Sequence, residues 1–219
     1  MRCILRISGA LHREITGLAM RRLVLVTSLL VLSAALFSNM PAAGADPCPT
    51  AATGKNGFVV ERSGSSETEV IHVDNAVVRT VMRSGGRMLL ETTQFEGLLQ
   101  LERIDRGRRT TFKPKAALDR LFPLKVGQRA SAEFKVQEGD KPPVDTKFLL
   151  EVKAKDLLYI GACRYNVLRV ELTQTREGSS QLSIDYYSPD LKLIIAKEYK
   201  ERDGRTNLIK FDRIYPSRR

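Results

Sequence analysis

The capacity of this chain for chemistry is narrow, and it begins with two cysteines. Cys48 and Cys163 are the thiols left once a leader carrying Cys3 is removed. An even number of thiols in an exported chain reads as a disulfide. That bond would tie the 46–56 segment to the body of the protein. Two free thiols are one alternative, and a lipid on Cys48 is another. Ala45-Asp46-Pro47, before Cys48, is not the small-residue sequence that lipid attachment needs.

His72, within Val70-Ile71-His72-Val73-Asp74, is the single histidine beyond the leader. A metal site needs more ligands than one histidine and two distant cysteines, so no metal or cofactor is expected. A Ser-His-Asp triad would have to use His72, and no Gly-x-Ser-x-Gly elbow is present. Gly64-Ser65-Ser66 and Gly178-Ser179-Ser180 are turn sequences; no Gly-Lys-Ser/Thr follows a strand to cradle phosphate. Asp185 with Asp190, and Glu198 with Asp203, sit among lysines and arginines and read as solvated cross-strand ion pairs. General acid–base work needs a converging pair of groups with shifted pKa values. A non-enzymatic protein is therefore expected.

The densest charge feature is Arg103, Arg106, Arg108, Arg109, Lys113 and Lys115. It surrounds an Asp-Arg-Gly-Arg turn. Such a cluster is either a solvated turn or a docking surface for anionic lipid head groups, a phosphate-bearing glycolipid or an acidic partner. Only Phe112 interleaves it, so it lacks the aromatic platform of a nucleic-acid site.

The leader sets the compartment. From Met20, a possible true start, the chain reads Arg21-Arg22 and then an apolar run from Leu23 to Phe37. That run is about 15 residues, the length of a signal-peptide core. A bilayer span needs about 20, which leaves an uncleaved anchor as the weaker alternative. Ala43-Gly44-Ala45 is a small-x-small cleavage site, so removal of 1–45 and a periplasmic location are expected. Cleavage leaves 174 of the 219 residues, enough for one domain with a real core. It removes five arginines and one glutamate, which takes the net charge from +11 to +7. Export makes nucleic acid an unsuitable partner. Solubility is one use for a moderate positive charge, and an anionic envelope surface is another.

The elements that must position these residues are strands. Ala130, Ala132, Phe134 and Val136 alternate with Arg129, Ser131, Glu133 and Lys135. Phe148, Leu150, Val152 and Ala154 oppose Lys147, Glu151 and Lys153; Leu168, Val170 and Leu172 oppose Arg169, Glu171 and Thr173. Leu182, Ile184 and Tyr186 oppose Gln181, Ser183 and Asp185. A period of two puts one face in a core and the other in water. Gly-bearing turns at 84–87, 105–108, 138–140, 177–180 and 202–205 separate the runs, and Asp140-Lys141-Pro142-Pro143 reads as a hairpin tip. About ten antiparallel strands are predicted across 57–215 as one β domain. One short helix is predicted near 115–121, opened by Pro114, with Leu118 and Leu121 on one side. Gly161 is expected to bend the sheet. A meander of this length curls into a half-barrel or barrel, so the fold class is all-β, a strongly curved antiparallel sheet.

Three stretches carry a family resemblance. They are Tyr186-Tyr187-Ser188-Pro189-Asp190-Leu191 running on to Lys197-Glu198-Tyr199, Pro123-Leu124-Lys125-Val126-Gly127, and Gly161-Ala162-Cys163-Arg164-Tyr165-Asn166-Val167. In these the chain resembles uncharacterised exported bacterial β-rich proteins that are similar to the lipoprotein-carrier half-barrels. The tryptophan often found where Tyr186 or Tyr187 stands is absent. The resemblance implies a curved envelope sheet that holds a lipid or other apolar ligand, and it transfers no catalytic residue. A structural or interaction protein of the envelope is the alternative, while ligand, partner and oligomeric state lie beyond the sequence.

Overall fold

The computed structural model describes residues 48–62, 66–200 and 205–217. The expected leader over 1–45 lies outside them. So do residues 63–65 and 201–204, which hold most of two expected turns and Asp203.

The alternating runs form thirteen strands in one antiparallel meander. They are β1 (Phe58–Arg62), β2 (Ser66–His72), β3 (Val77–Ser84), β4 (Arg87–Phe95), β5 (Leu99–Asp105), β6 (Arg108–Pro114), β7 (Arg129–Glu138), β8 (Val144–Ile160), β9 (Cys163–Arg176), β10 (Ser179–Ser188), β11 (Leu193–Lys200), β12 (Thr206–Lys210) and β13 (Arg213–Pro216). Sequence neighbours pair from β1 to β12, and β13 returns to pair with β1. The hydrogen-bonded ladder is not closed. Among the described residues, backbone hydrogen bonds bridge its two ends where the chain crosses from β12 to β13: Phe211 N–H donates to the Ile195 carbonyl at 3.4 Å and Asp212 N–H to the Glu61 carbonyl at 2.8 Å.

Curvature comes from four irregularities in register, at Met82/Arg83, Thr93/Gln94, Val152/Ala154 and Tyr186/Tyr187. An extra residue in one strand kinks it and increases the local twist. The bend in β8 thus falls at Lys153, whereas Gly161 forms the β8–β9 turn, with Ile160 paired to Cys163. That corrects the expectation for Gly161, whose positive φ of 56° suits a tight turn.

Two hydrophobic clusters stabilise the sheet. The first gathers Phe58, Val60 and Val70 with Tyr165, Val167, Tyr186 and Ile195. The second gathers Leu99, Phe134, Val136, Leu150, Leu168, Val170 and Tyr187. Val167 and Leu168 part between the clusters, as do Tyr186 and Tyr187. Successive strand residues point to opposite faces, so β9 and β10 are buried on both. The side chains of Ala132, Phe134 and Val136 point into the second cluster while Arg129, Ser131, Glu133 and Lys135 are exposed, as the alternation predicts.

In β10 the expected facing is overturned at two positions. Leu182 is 57% exposed and Asp185 is fully buried. Asp185 belongs to the side that the curled sheet encloses, and Leu182 lies near the strand's free end.

The helix expected over 115–121 contracts to a 3₁₀ turn, Asp119–Leu121. Lys115 N–H still donates to the Glu133 carbonyl at 2.8 Å, so the backbone stays with the sheet past Pro114. Leu118 and Leu121 nevertheless bury in the second cluster. An additional one-turn helix, α1 (Ala51–Gly54), is capped by reciprocal bonds between Thr50 and Thr53. The disulfide is formed: Cys48 is bonded to Cys163 across 115 positions, and it holds the N-terminal segment to β9.

Candidate functional site

The six basic residues do not gather on one surface. Arg106 and Arg108 flank Gly107 at the β5–β6 turn, and both are exposed. Arg109 pairs with Glu102 at 3.2 Å. Lys113 stands exposed on β6, across from Lys135. Lys115 reaches Asp145 at 3.0 Å and Glu133 at 3.6 Å, contacts that raise its pKa. Arg103 is drawn to Asp105, at 2.7 Å, and its hydrogen bond holds the Asp105 carboxyl below the usual carboxylate range. Arg106, Arg108 and Lys113 are left without an ion pair among the described residues.

Arg103 also faces a second, unexpected feature. A cleft of about 330 Å³ opens between the β4–β5 ribbon and β9–β11. Its walls carry Gln94 and Gln100 on one side and Gln174, Gln181 and Ser183 on the other. Register explains the gathering: Gln94 pairs with Gln100 across β4–β5, and Gln174 with Gln181 across β9–β10. Asp185 lies in the floor with Lys197 Nζ 2.9 Å from Oδ1, and the two residues are cross-strand partners. Phe148, Leu172 and Ile194 supply apolar wall.

A largely apolar hollow of about 460 Å³ lies at the β4–β5 turn, walled by Phe95, Phe122, Pro123, Leu124, Tyr187 and Pro189, with Glu96 and Asp119 also in its lining. Phe95 and Phe122 meet edge to face, with centroids 5.6 Å apart. One side is held by a latch between turns. Lys192 Nζ lies 2.9 Å from Glu96 and donates to the Asn75 carbonyl, while Tyr187 Oη donates to the Glu96 carbonyl at 2.7 Å. Burial, and then the nearby Glu96 carboxylate, push the Tyr187 phenol well above its ordinary pKa. His72 borders the same latch. Burial and the Lys192 ammonium lower its pKa, and its Nε2 has no hydrogen-bond partner among the described residues.

No protein-family model matches the chain, and no curated protein matches it. Among solved structures it is similar to the crystal structure of the hypothetical lipoprotein YmcC from Escherichia coli K12. The two are 11% identical, the match covers 84% of this chain and 96% of that one, and the TM-score is 0.43.

The sequence reading passed over the glutamines and took Asp185 for a solvated charge. One signal was available. Tyr186 and Tyr187 follow Asp185 as consecutive large residues, so both faces of that end of the strand carry apolar bulk. A strand buried on both sides carries its polar residues inward as well.

Proposed function

We propose that this chain is an exported, non-enzymatic protein of the cell envelope that binds an apolar ligand, such as the acyl part of a lipid. The observation that carries this reading is the hollow between Phe95, Phe122, Leu124 and Tyr187. Its volume falls in the range of about 300–1,000 Å³ usual for small-molecule sites, and its aromatic and proline walls match hydrocarbon. The site lies at the edge of the second cluster, because the inward apolar side chains of the sheet pack on one another. Export is supported by the leader sequence and by the Cys48–Cys163 disulfide, a bond suited to an oxidising compartment. A non-enzymatic role is supported by Asp185, the fully buried carboxylate, which faces the Lys197 ammonium instead of a second carboxyl group.

The test is native mass spectrometry on protein purified from its own envelope, beside a Leu124→Arg variant. Co-purifying lipid or fatty acid that the variant loses is the expected result. Repeated preparations free of any such ligand would overturn the reading.

Docking to an anionic surface is the second reading, and Arg106, Arg108 and Lys113 favour it, since no ion pair occupies them among the described residues. Replacing all three with glutamate should then abolish sedimentation with phosphatidylglycerol vesicles at low salt. Unchanged sedimentation would reject it.

A further inference from the structure

The glutamine-lined cleft has no part in the reading above, and its chemistry differs from that of the apolar hollow. We propose that it is a binding site for a neutral polyhydroxylated ligand, a saccharide unit held between the β4–β5 ribbon and β9–β11.

The donor and acceptor inventory leads to this class. Gln94, Gln100, Gln174 and Gln181 present four amides, each with an oxygen acceptor and two N–H donors. A sugar hydroxyl likewise both donates and accepts, so amides on two facing walls match a ring bearing hydroxyls around its rim. Ser183 and Tyr199 add two groups of the same dual character. Phe148, Leu172 and Ile194 offer apolar surface to the C–H face of a ring. The volume of about 330 Å³ lies at the small end of ligand sites, suited to one or two rings.

Charge narrows the class to neutral ligands. The cleft contains two cations, Arg103 and Lys197, and each is bound to its own carboxylate, Asp105 at 2.7 Å and Asp185 at 2.9 Å. Each cation is left with further N–H donors but with its charge offset. Asp185 is fully buried beneath Lys197, whose side chain is 37% exposed. An anion such as phosphate or a uronate would find no uncompensated positive charge here. A hydroxyl finds oriented donors.

A smaller hollow of about 130 Å³, between β11, β12 and Arg62, shares Ile194, Lys197 and Tyr199 with the cleft. These three residues therefore form a wall between the cleft and the seam where the ladder is open.

Saturation-transfer NMR on the purified protein tests this, with D-glucose, D-galactose, N-acetylglucosamine and cellobiose as probes and glucuronate and octanoate as contrasts. Transfer to the ring protons of at least one neutral sugar is expected. Its dissociation constant should rise about tenfold in Gln174→Leu/Gln181→Leu, the loss expected when hydrogen bonds to ligand are removed. Gln100→Ala, on the opposite wall, should weaken it in the same sense. Circular dichroism confirms that each variant is folded. Leu124→Arg, which blocks the apolar hollow, should leave sugar binding unchanged, and this separates failure here from failure of the lipid reading. The proposal is overturned if no neutral sugar shows transfer, if glucuronate or octanoate alone does, or if binding persists unaltered in both glutamine variants.

Discussion

Removing the Cys48–Cys163 bond tests how the N-terminal segment is held to the rest of the molecule. The bond closes a loop of 115 positions, and the chain-entropy relation assigns such a loop about 5 kcal/mol at 25 °C. Measured values run lower, because the unfolded chain retains structure once the crosslink is cut. Loss of the bond does not release the native segment at once. Gly54 packs against Leu191 and Phe58, and Ser217 N–H donates to the Gly57 carbonyl at 3.2 Å. The native state is thus little changed, and the effect falls on the unfolded state. We expect Cys48→Ala/Cys163→Ala to lose about 3–5 kcal/mol. The melting temperature should fall by about 10 °C, at about 2–4 °C per kcal/mol for a chain of this size. The urea m-value should rise, because the released chain exposes more surface on unfolding. The chain has no tryptophan, so far-ultraviolet circular dichroism is the suitable signal. Reductant should shift the wild-type curve onto that of the variant and leave the variant where it is. A wild-type midpoint that does not move after reduction, with both thiols verified by mass, would refute the reasoning.

Three further expectations rest on other contacts. Gly97 sits at φ 66° against the Lys192 carbonyl, where a Cβ would overlap backbone. Gly97→Ala should therefore cost about 3 kcal/mol or more in urea unfolding, whereas Gly85→Ala, which meets open space, should cost about 1–2 kcal/mol; equal effects would contradict the close approach of the two turns. His72 has its pKa lowered by burial and by Lys192, so the folded state prefers the neutral ring. Stability on its account is complete above pH 6.5 and declines as pH falls below that value, and His72→Gln should flatten the slope of the urea midpoint between pH 7.5 and pH 5. Burial pushes the Tyr165 phenol up to about 12, and Tyr187 is raised further by burial and Glu96. Stability should then fall as pH rises from 10 towards 12, because the unfolded chain gives up those protons first. Ultraviolet titration should show these two phenols ionising well above pH 10 in folded protein; a single transition of all six tyrosines near pH 10 would oppose this.

Much of the fold was legible because it is local. The alternation through Ala130–Val136 and Phe148–Val152 requires strands whatever lies next to them, since a period of two sorts side chains onto opposite faces. Glycines at the turns then require neighbours to run antiparallel. The disulfide was legible for a different reason: only two thiols follow the expected leader, so no alternative pairing was open. The short helix was less secure. Leu118 and Leu121 signalled burial correctly, but their spacing could not show that Lys115 would stay bonded to Glu133 in β7.

The candidate sites were much less legible. The Arg103–Lys115 cluster is compact in sequence, yet a strand sends its successive members to opposite faces, and the carboxylates of Glu102, Glu133 and Asp145 reach some of them from neighbouring strands. The cleft residues are drawn from β4, β5, β8, β9, β10 and β11, and they meet only because the meander coils upon itself. Composition, period and turn chemistry by themselves determined that this chain is a long antiparallel β sheet with one crosslink. Which face of β10 is enclosed, and hence that Asp185 is buried beside Lys197, was decided by tertiary structure alone. Register shifts accumulate along thirteen strands, and the face that ends inward depends on their sum, which no local stretch of sequence contains.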